Sequence, residues 1–178
     1  MAFAGTEDAT DWLTNIQHVV GLSSSQHKLI QQVIDEAHNR IGQGNKISII
    51  TGHSLGGSLA TLATIKDGGN DASKLVIFNP EYLHENNFKD FPNKDTYFDN
   101  ANIWQVKGDP VAVLQFVPSI LAELPFVQGL YRFPRINVIS LKAPNIESIP
   151  GFQEAVGRLD PVNRHQLDAI EKYLREHP

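Results

Sequence analysis

The sequence predicts an α/β fold, with a mostly parallel central sheet and helices on both of its faces. Short runs rich in β-branched residues alternate along the chain with segments whose apolar residues recur at helical spacing. The order strand, helix, strand implies parallel pairing through right-handed crossovers. Ligands of such sheets bind beyond the carboxyl ends of the strands, so we expect a functional site at that edge.

Several of the apolar runs carry almost no charge, as is typical of strands covered on both faces. The predicted strands span residues 1–4, 46–51, 74–78, 102–107 and 136–141. Helices are predicted at 22–41, 55–66 and 163–176. Ser23 and Gln26 fit a capping box at the start of the first helix, and Gly42 ends it. The polar segment 81–100 predicts a long surface excursion.

Length and composition exclude several classes of protein. A chain of 178 residues is long enough for a single domain over 1–178 with a sizeable core. The net charge of -5, without any run of Lys and Arg, argues against nucleic-acid binding. The absence of cysteine excludes a thiol nucleophile and cysteine-ligated metal, and we expect no metal and no other cofactor. No apolar stretch approaches the ~20 residues of a membrane span.

The chain begins directly with a predicted strand and has no basic, apolar signal peptide. An α/β domain seldom starts so abruptly, which indicates a fragment or a domain of a larger protein. Without a signal peptide, the expected location is the cytoplasm by default, or outside the cell by a non-classical route.

The most informative motif is Gly52-His53-Ser54-Leu55-Gly56, between the strongest predicted strand and a helix. The pattern alone is weak, but the strand–turn–helix setting is what a nucleophile elbow of an α/β hydrolase requires. Such a turn strains the backbone at Ser54, and the two glycines remove Cβ atoms that would collide across it. Ser54 is therefore the predicted nucleophile, and the Leu55 N–H a predicted oxyanion donor. The alternative is a tight turn with a serine helix cap.

A Gly-Thr pair at 5–6 and an Asp-Trp-Leu segment at 11–13 precede the Gly-His-Ser-Leu-Gly-Gly hexapeptide at 52–57. In this order the segments resemble the class 3 (fungal-type) lipase family, which has the α/β-hydrolase fold. The resemblance covers residues 3–109, with a weaker match near His165.

The resemblance implies that Thr6 supplies the second oxyanion donor through its backbone N–H, and that residues 7–21 occupy the place of a lid. Trp12 is then either a lid aromatic or a core anchor, and the core is favoured because large aromatics are usually buried. Two features depart from the family. Ala4 stands where the family has Arg, and the strands normally found upstream are absent, so we expect a sheet that is short on its N-terminal side.

Chain order in α/β hydrolases is Ser, then the acid, then His, so the acid must follow Ser54. Asp109 lies in a Gly-Asp-Pro segment at the end of a predicted strand, where active-site groups gather. The resemblance agrees, because the family's acid lies in such a segment. Asp95, Asp99 and Asp160 lie in polar loop sequence and are interpreted as solvated charges.

His165 and His177 are the histidines that follow Asp109. His177 is next to the C-terminus, where chains fray. Asn163 and Gln166 fit a capping box that places His165 in the first turn of the last helix, and the family's catalytic His precedes a C-terminal helix. His165 is the predicted base, and the alternative is a surface histidine.

The remaining histidines are not predicted to take part in catalysis. His53 is interpreted as structural support beside the nucleophile. The others are interpreted as surface residues: His18, His27, His38 and His84.

These residues predict a serine carboxylic-ester hydrolase of lipid acyl esters, a lipase or phospholipase with a Ser54–Asp109–His165 triad. The apolar segment 111–133 is either an acyl-chain wall or mobile lid, or a helix packed on the sheet. The expected partner is a lipid or other acyl ester, with transient contact to a lipid surface and no nucleic acid. The alternatives are an acyltransferase and a catalytically silent interaction domain.

Overall fold

A computed structural model describes residues 1–5, 24–42, 44–68, 74–89, 98–107, 109, 129–131, 133, 136–139 and 167–178. The strands of this part of the chain are β1 (Ala2–Phe3), β2 (Ile49–His53), β3 (Lys74–Phe78), β4 (Leu83–His84), β5 (Asn102–Val106), β6 (Leu130–Tyr131) and β7 (Asn137–Ile139). The helices are α1 (Ser24–Ile41), α2 (Leu55–Lys66) and α3 (Leu167–Glu176), with a 3₁₀ helix at Glu85–Phe88.

The central sheet has the order β1-β2-β3-β5-β7, and every neighbouring pair in it is parallel. β2 and β3 pair along their whole length, from Ile49 opposite Lys74 to His53 opposite Phe78. β4 and β6 form a separate antiparallel pair. The predicted α/β architecture with a mostly parallel sheet is confirmed, and the carboxyl ends of all five strands meet at one edge.

Side chains alternate between the two faces of the sheet, and both faces carry helices. On one face Leu75 and Ile77 share a buried core with Ile34 of α1 and Leu62 of α2. On the other face β3 and β5 pack against α3. That cluster consists of Phe78, Trp104, Val106, Ile170, Tyr173 and Leu174.

Helix α2 is buried nearly all round, which explains why its sequence is apolar without a marked stripe. Even its hydroxyl residues are buried. Thr61 Oγ1 donates to the Gly57 carbonyl at 2.8 Å, and Thr64 Oγ1 donates to the Ala60 carbonyl at 2.9 Å. Because α2 is packed on the sheet and on α1, its first turn is held in a fixed place at the carboxyl edge.

The prediction of a surface excursion over 81–100 is wrong for several of the described residues. Leu83 and Phe88 are buried, and Phe98 meets Phe133 edge to face with ring centroids 5.7 Å apart. The polar composition of the segment concealed this, because single apolar side chains turn inward and polar residues such as Glu81 and Asn87 are buried with them.

Other elements differ from the predicted ones mainly at their ends. β2 runs to His53 rather than to 51, because its pairing with β3 continues to the turn. Ser23, and residues 140–141 and 163–166 of the predicted last strand and helix, lie outside the described residues. Within the described residues, none of the helices is long and apolar enough to cross a membrane.

Candidate active site

Ser54 forms the turn between β2 and α2, and its backbone is strained. Its φ is 55° and its ψ is -128°, a conformation that residues with a side chain seldom adopt. Such strain costs about 1–3 kcal/mol and persists only where the surroundings enforce it. Here they do so through backbone hydrogen bonds: the Ser54 N–H donates to the Phe78 carbonyl at 3.1 Å, and the Ser54 carbonyl accepts from Gly57 at 2.9 Å and Glu81 at 3.3 Å.

The glycines of the motif stand where chain segments approach too closely for a Cβ atom. A Cβ on Gly52 would overlap the Gly56 carbonyl, and one on Gly56 would overlap the Phe3 carbonyl of β1. A Cβ on Gly57 would lie 3.0 Å from Pro80 Cβ. These glycines therefore let β1, β2 and the first turn of α2 meet around Ser54.

The serine-cap interpretation of the motif lacks its defining hydrogen bond. Ser54 occupies the N-cap position of α2, but its side chain makes no capping hydrogen bond. A capping serine would accept from an amide of the first turn. The backbone carbonyl of Ser54, rather than its hydroxyl, bonds to the first turn of the helix. This is the geometry that a nucleophile elbow requires.

The end of β1 lies directly beside Ser54. A Cβ built on Gly5 would be 3.4 Å from Ser54 Cβ and 2.7 Å from the His53 carbonyl oxygen. Leu55, on the other side of Ser54, is the first residue of α2, where N–H groups have no partner within the helix. Thr6 itself lies outside the described residues, as do residues 7–21 with Trp12.

Asp109 follows β5 at the same edge of the sheet and is completely buried, with 0% exposure. Its N–H donates to the Val106 carbonyl at 3.0 Å, closing a tight turn at the strand end. β3 is the one strand between β2 and β5, so the strands that precede Ser54 and Asp109 lie ~9.5 Å apart. The two residues therefore follow strands of the same sheet, at the same edge, with one strand between them.

Among the described residues, the other aspartates considered for the acid do not replace Asp109. Asp99 is exposed, and Asp95 and Asp160 lie outside the described residues. Sequence reasoning missed Glu81, which is buried (6% exposed) and whose N–H reaches the Ser54 carbonyl. Its position three residues after the end of β3 was the available signal, but the polar composition of 81–100 masked it.

Asn79 is a second residue that sequence reasoning missed. It follows β3 directly, is completely buried, and has a φ of 40°, in the left-handed region. Its N–H donates to the Trp104 carbonyl, and its Oδ1 accepts from the Val106 N–H, both at 2.8 Å. The side chain thus joins the ends of β3 and β5 where the backbone ladder stops.

The predicted base, His165, lies outside the described residues, as do His18 and the side chain of His27. His177 is exposed and stacks on Tyr173 with ring centroids 4.4 Å apart.

Two of the other histidines have structural roles. His38 Nε2 lies 2.5 Å from Asp67 Oδ1, and His84 Nδ1 accepts from the Asn86 N–H at 3.1 Å. His53 is partly buried at the end of β2. The part of the chain that the structure describes holds no cluster of His, Asp and Glu suited to a metal ion.

A parallel sheet with helices on both faces, and a strained serine between strand and helix, define an α/β protein whose turn at Ser54 has the strand–turn–helix setting of a nucleophile elbow. The chain matches a family model described as phospholipase-like, Tle-like phospholipase domain, over residues 1–158. It therefore belongs to this phospholipase-like family. The expectation of a lipase or phospholipase family is confirmed at this level, whereas the narrower resemblance to class 3 lipases stays a prediction.

A known relative points the same way over a shorter segment. The chain is 37% identical over 68 residues to the extracellular phospholipase A1 of Serratia liquefaciens. The aligned segment is 38% of this chain and 20% of the relative. The similarity thus covers about a fifth of that protein.

Proposed function

We propose that the chain is a serine carboxylic-ester hydrolase of α/β-hydrolase fold, related to class 3 lipases, that cleaves acyl esters of phospholipids. The observation that carries the proposal is the strained, clamped backbone of Ser54, whose side chain does not cap α2. Membership of the phospholipase-like family supports the substrate class, and so does the name of the relative, phospholipase A1.

In the proposed mechanism Ser54 Oγ attacks the ester carbonyl carbon while His165 takes its proton. The N–H groups of Leu55 and Thr6 stabilise the oxyanion that forms. When the tetrahedral intermediate collapses, the C–O bond of the ester breaks and the imidazolium protonates the departing alcohol. Water, activated by the same imidazole, then attacks the acyl-serine ester and releases the fatty acid and free Ser54.

Asp109 has a supporting role in this scheme. It accepts a hydrogen bond from the imidazole, which fixes the tautomer and stabilises the positive charge that appears on the ring. The complete burial of Asp109 suits that role, because an ionic hydrogen bond is stronger where water is excluded.

A fluorophosphonate probe tests the serine chemistry directly. We expect labelling of the purified, folded chain, located at Ser54 by mass spectrometry of the peptides. Ser54→Ala should abolish the labelling, whereas Ser48→Ala, at an exposed serine just before β2, should leave it unchanged. A folded chain that does not react would overturn the proposal and favour a silent interaction domain.

The substrate class requires a separate panel. Short and long p-nitrophenyl esters, triacylglycerol emulsions and phosphatidylcholine vesicles should be compared, with released fatty acid as the readout. Fastest release from the vesicles supports a phospholipase. Transfer of the acyl group to an added alcohol in preference to water would instead indicate an acyltransferase.

A further inference from the structure

We infer that Asn79 is a positioning residue that holds the turn carrying Asp109, an inference that rests on the proposed function. β3 lies between β2, which leads to Ser54, and β5, which leads to Asp109. It ends at Phe78, while β5 continues to Val106. Beyond Phe78 one backbone hydrogen bond to β5 remains, from the Asn79 N–H to the Trp104 carbonyl at 2.8 Å. Asn79 extends the pairing with its side chain, because its Oδ1 accepts the Val106 N–H at 2.8 Å.

The link from Asn79 to Asp109 has two hydrogen bonds and one residue between them. The Val106 N–H donates to Asn79 Oδ1, and the Val106 carbonyl accepts from the Asp109 N–H at 3.0 Å. All three residues are completely buried. Water therefore has little access to replace either bond, and loss of the Asn79 amide would leave the Val106 N–H unsatisfied.

The residue type at 79 fits two requirements at once. The backbone φ of 40° is unfavourable for most side chains but tolerated by Asn. The short amide also places an acceptor oxygen near its own backbone, within reach of the neighbouring strand. Glycine would meet the first requirement and fail the second, so Asn79→Gly separates positioning from backbone strain.

The expected effect is on the chemical step rather than on substrate binding. Asp109 must sit under the imidazole, and a misplacement of ~1 Å in an active site can lower the rate by ~100-fold. We expect Asn79→Gly to lower kcat and the rate of fluorophosphonate labelling by about 10- to 100-fold, with KM changed less than about twofold.

A double-mutant cycle tests whether Asn79 acts through Asp109. Labelling rates of wild type, Asn79→Gly, Asp109→Asn and the double variant are compared, with folding checked by circular dichroism. In the Asp109→Asn background, Asn79→Gly should change the rate less than about threefold, because the positioned group is already gone. An equal loss in both backgrounds, or no loss in the wild-type background, would overturn the inference.

A matched control is Asn87→Ala, at another buried asparagine, whose Nδ2 donates to the His84 carbonyl. It should lower stability without the selective loss of kcat. If Asn79→Gly does not fold, Asn79→Ser enters the same cycle under the same criterion. Failure of the wild-type chain to label would reject the proposed function itself, whereas normal labelling with an additive cycle would reject only the role of Asn79.

Discussion

The Ser54 N–H donates to the Phe78 carbonyl at 3.1 Å, so the residue that turns into α2 is still tied to the neighbouring strand. This bond holds Ser54 at the carboxyl edge of the sheet while its backbone takes a φ of 55°. Ser54 therefore carries both the strained φ and the N–H that helps to maintain it. The turn should therefore store free energy that a suitable substitution releases.

Ser54→Gly should be more stable than Ser54→Ala, by about 1 kcal/mol in the free energy of unfolding. Both variants remove the hydroxyl, and both should be inactive. Only glycine adopts the observed φ without strain. The strain that glycine relieves in the folded state is larger than the extra conformational entropy that it loses on folding. Urea unfolding followed by tryptophan fluorescence measures the difference. Equal stability of the two variants would show that the turn is not strained.

Asp109→Asn should slow fluorophosphonate labelling by about 10³- to 10⁴-fold, because the imidazole loses the carboxylate that orients it. Glu81→Gln should slow it by less than about tenfold, since the backbone of Glu81, which contacts the elbow, is unchanged. Asp99→Asn, at an exposed position, serves as the control. The reverse ranking of the first two variants would assign the acid to Glu81.

His165→Ala should abolish ester hydrolysis, and His177→Ala should leave it near the wild-type level. Loss of the general base removes proton transfer from Ser54, whereas His177 is exposed and stacked on Tyr173. Steady-state kinetics with a p-nitrophenyl ester measure both. Added imidazole should restore part of the activity of His165→Ala, which a merely unfolded variant would not show. Full activity of His165→Ala would remove this residue from the triad.

The strand–turn–helix around Ser54 was predictable because its signals are local. A β-branched run, three closely spaced glycines and an apolar helix follow one another between residues 46 and 66, and each segment is specified by its own sequence. The observed end of β2 at His53 was missed because Gly52, the residue before it, is of a type that is rare in strands. Its pairing with β3 decides that boundary, and this pairing is not visible in a single segment.

The contacts around Asp109 could not be predicted in the same way. Asn79 and Val106 are 27 positions apart, and neither local sequence predicts the hydrogen bond between them. An asparagine before proline reads simply as a turn. Glu81 was missed for a related reason, since its burial depends on α2 and β3 meeting at Ser54 rather than on the polarity of its neighbours.

The contact between His38 and Asp67 should matter for stability and not for catalysis. His38 Nε2 lies 2.5 Å from Asp67 Oδ1 and connects α1 to the residue that caps the end of α2, away from the elbow at its start. The Asp67 side chain is 4% exposed and that of His38 is 41% exposed, so solvent screens only one partner well. Asp67→Asn should cost about 1 kcal/mol of unfolding free energy. The labelling rate of Ser54 should stay within about twofold of wild type, because the opposite end of α2 is held by its own contacts with the sheet. A large loss of labelling without loss of stability would show instead that the two ends of α2 are coupled.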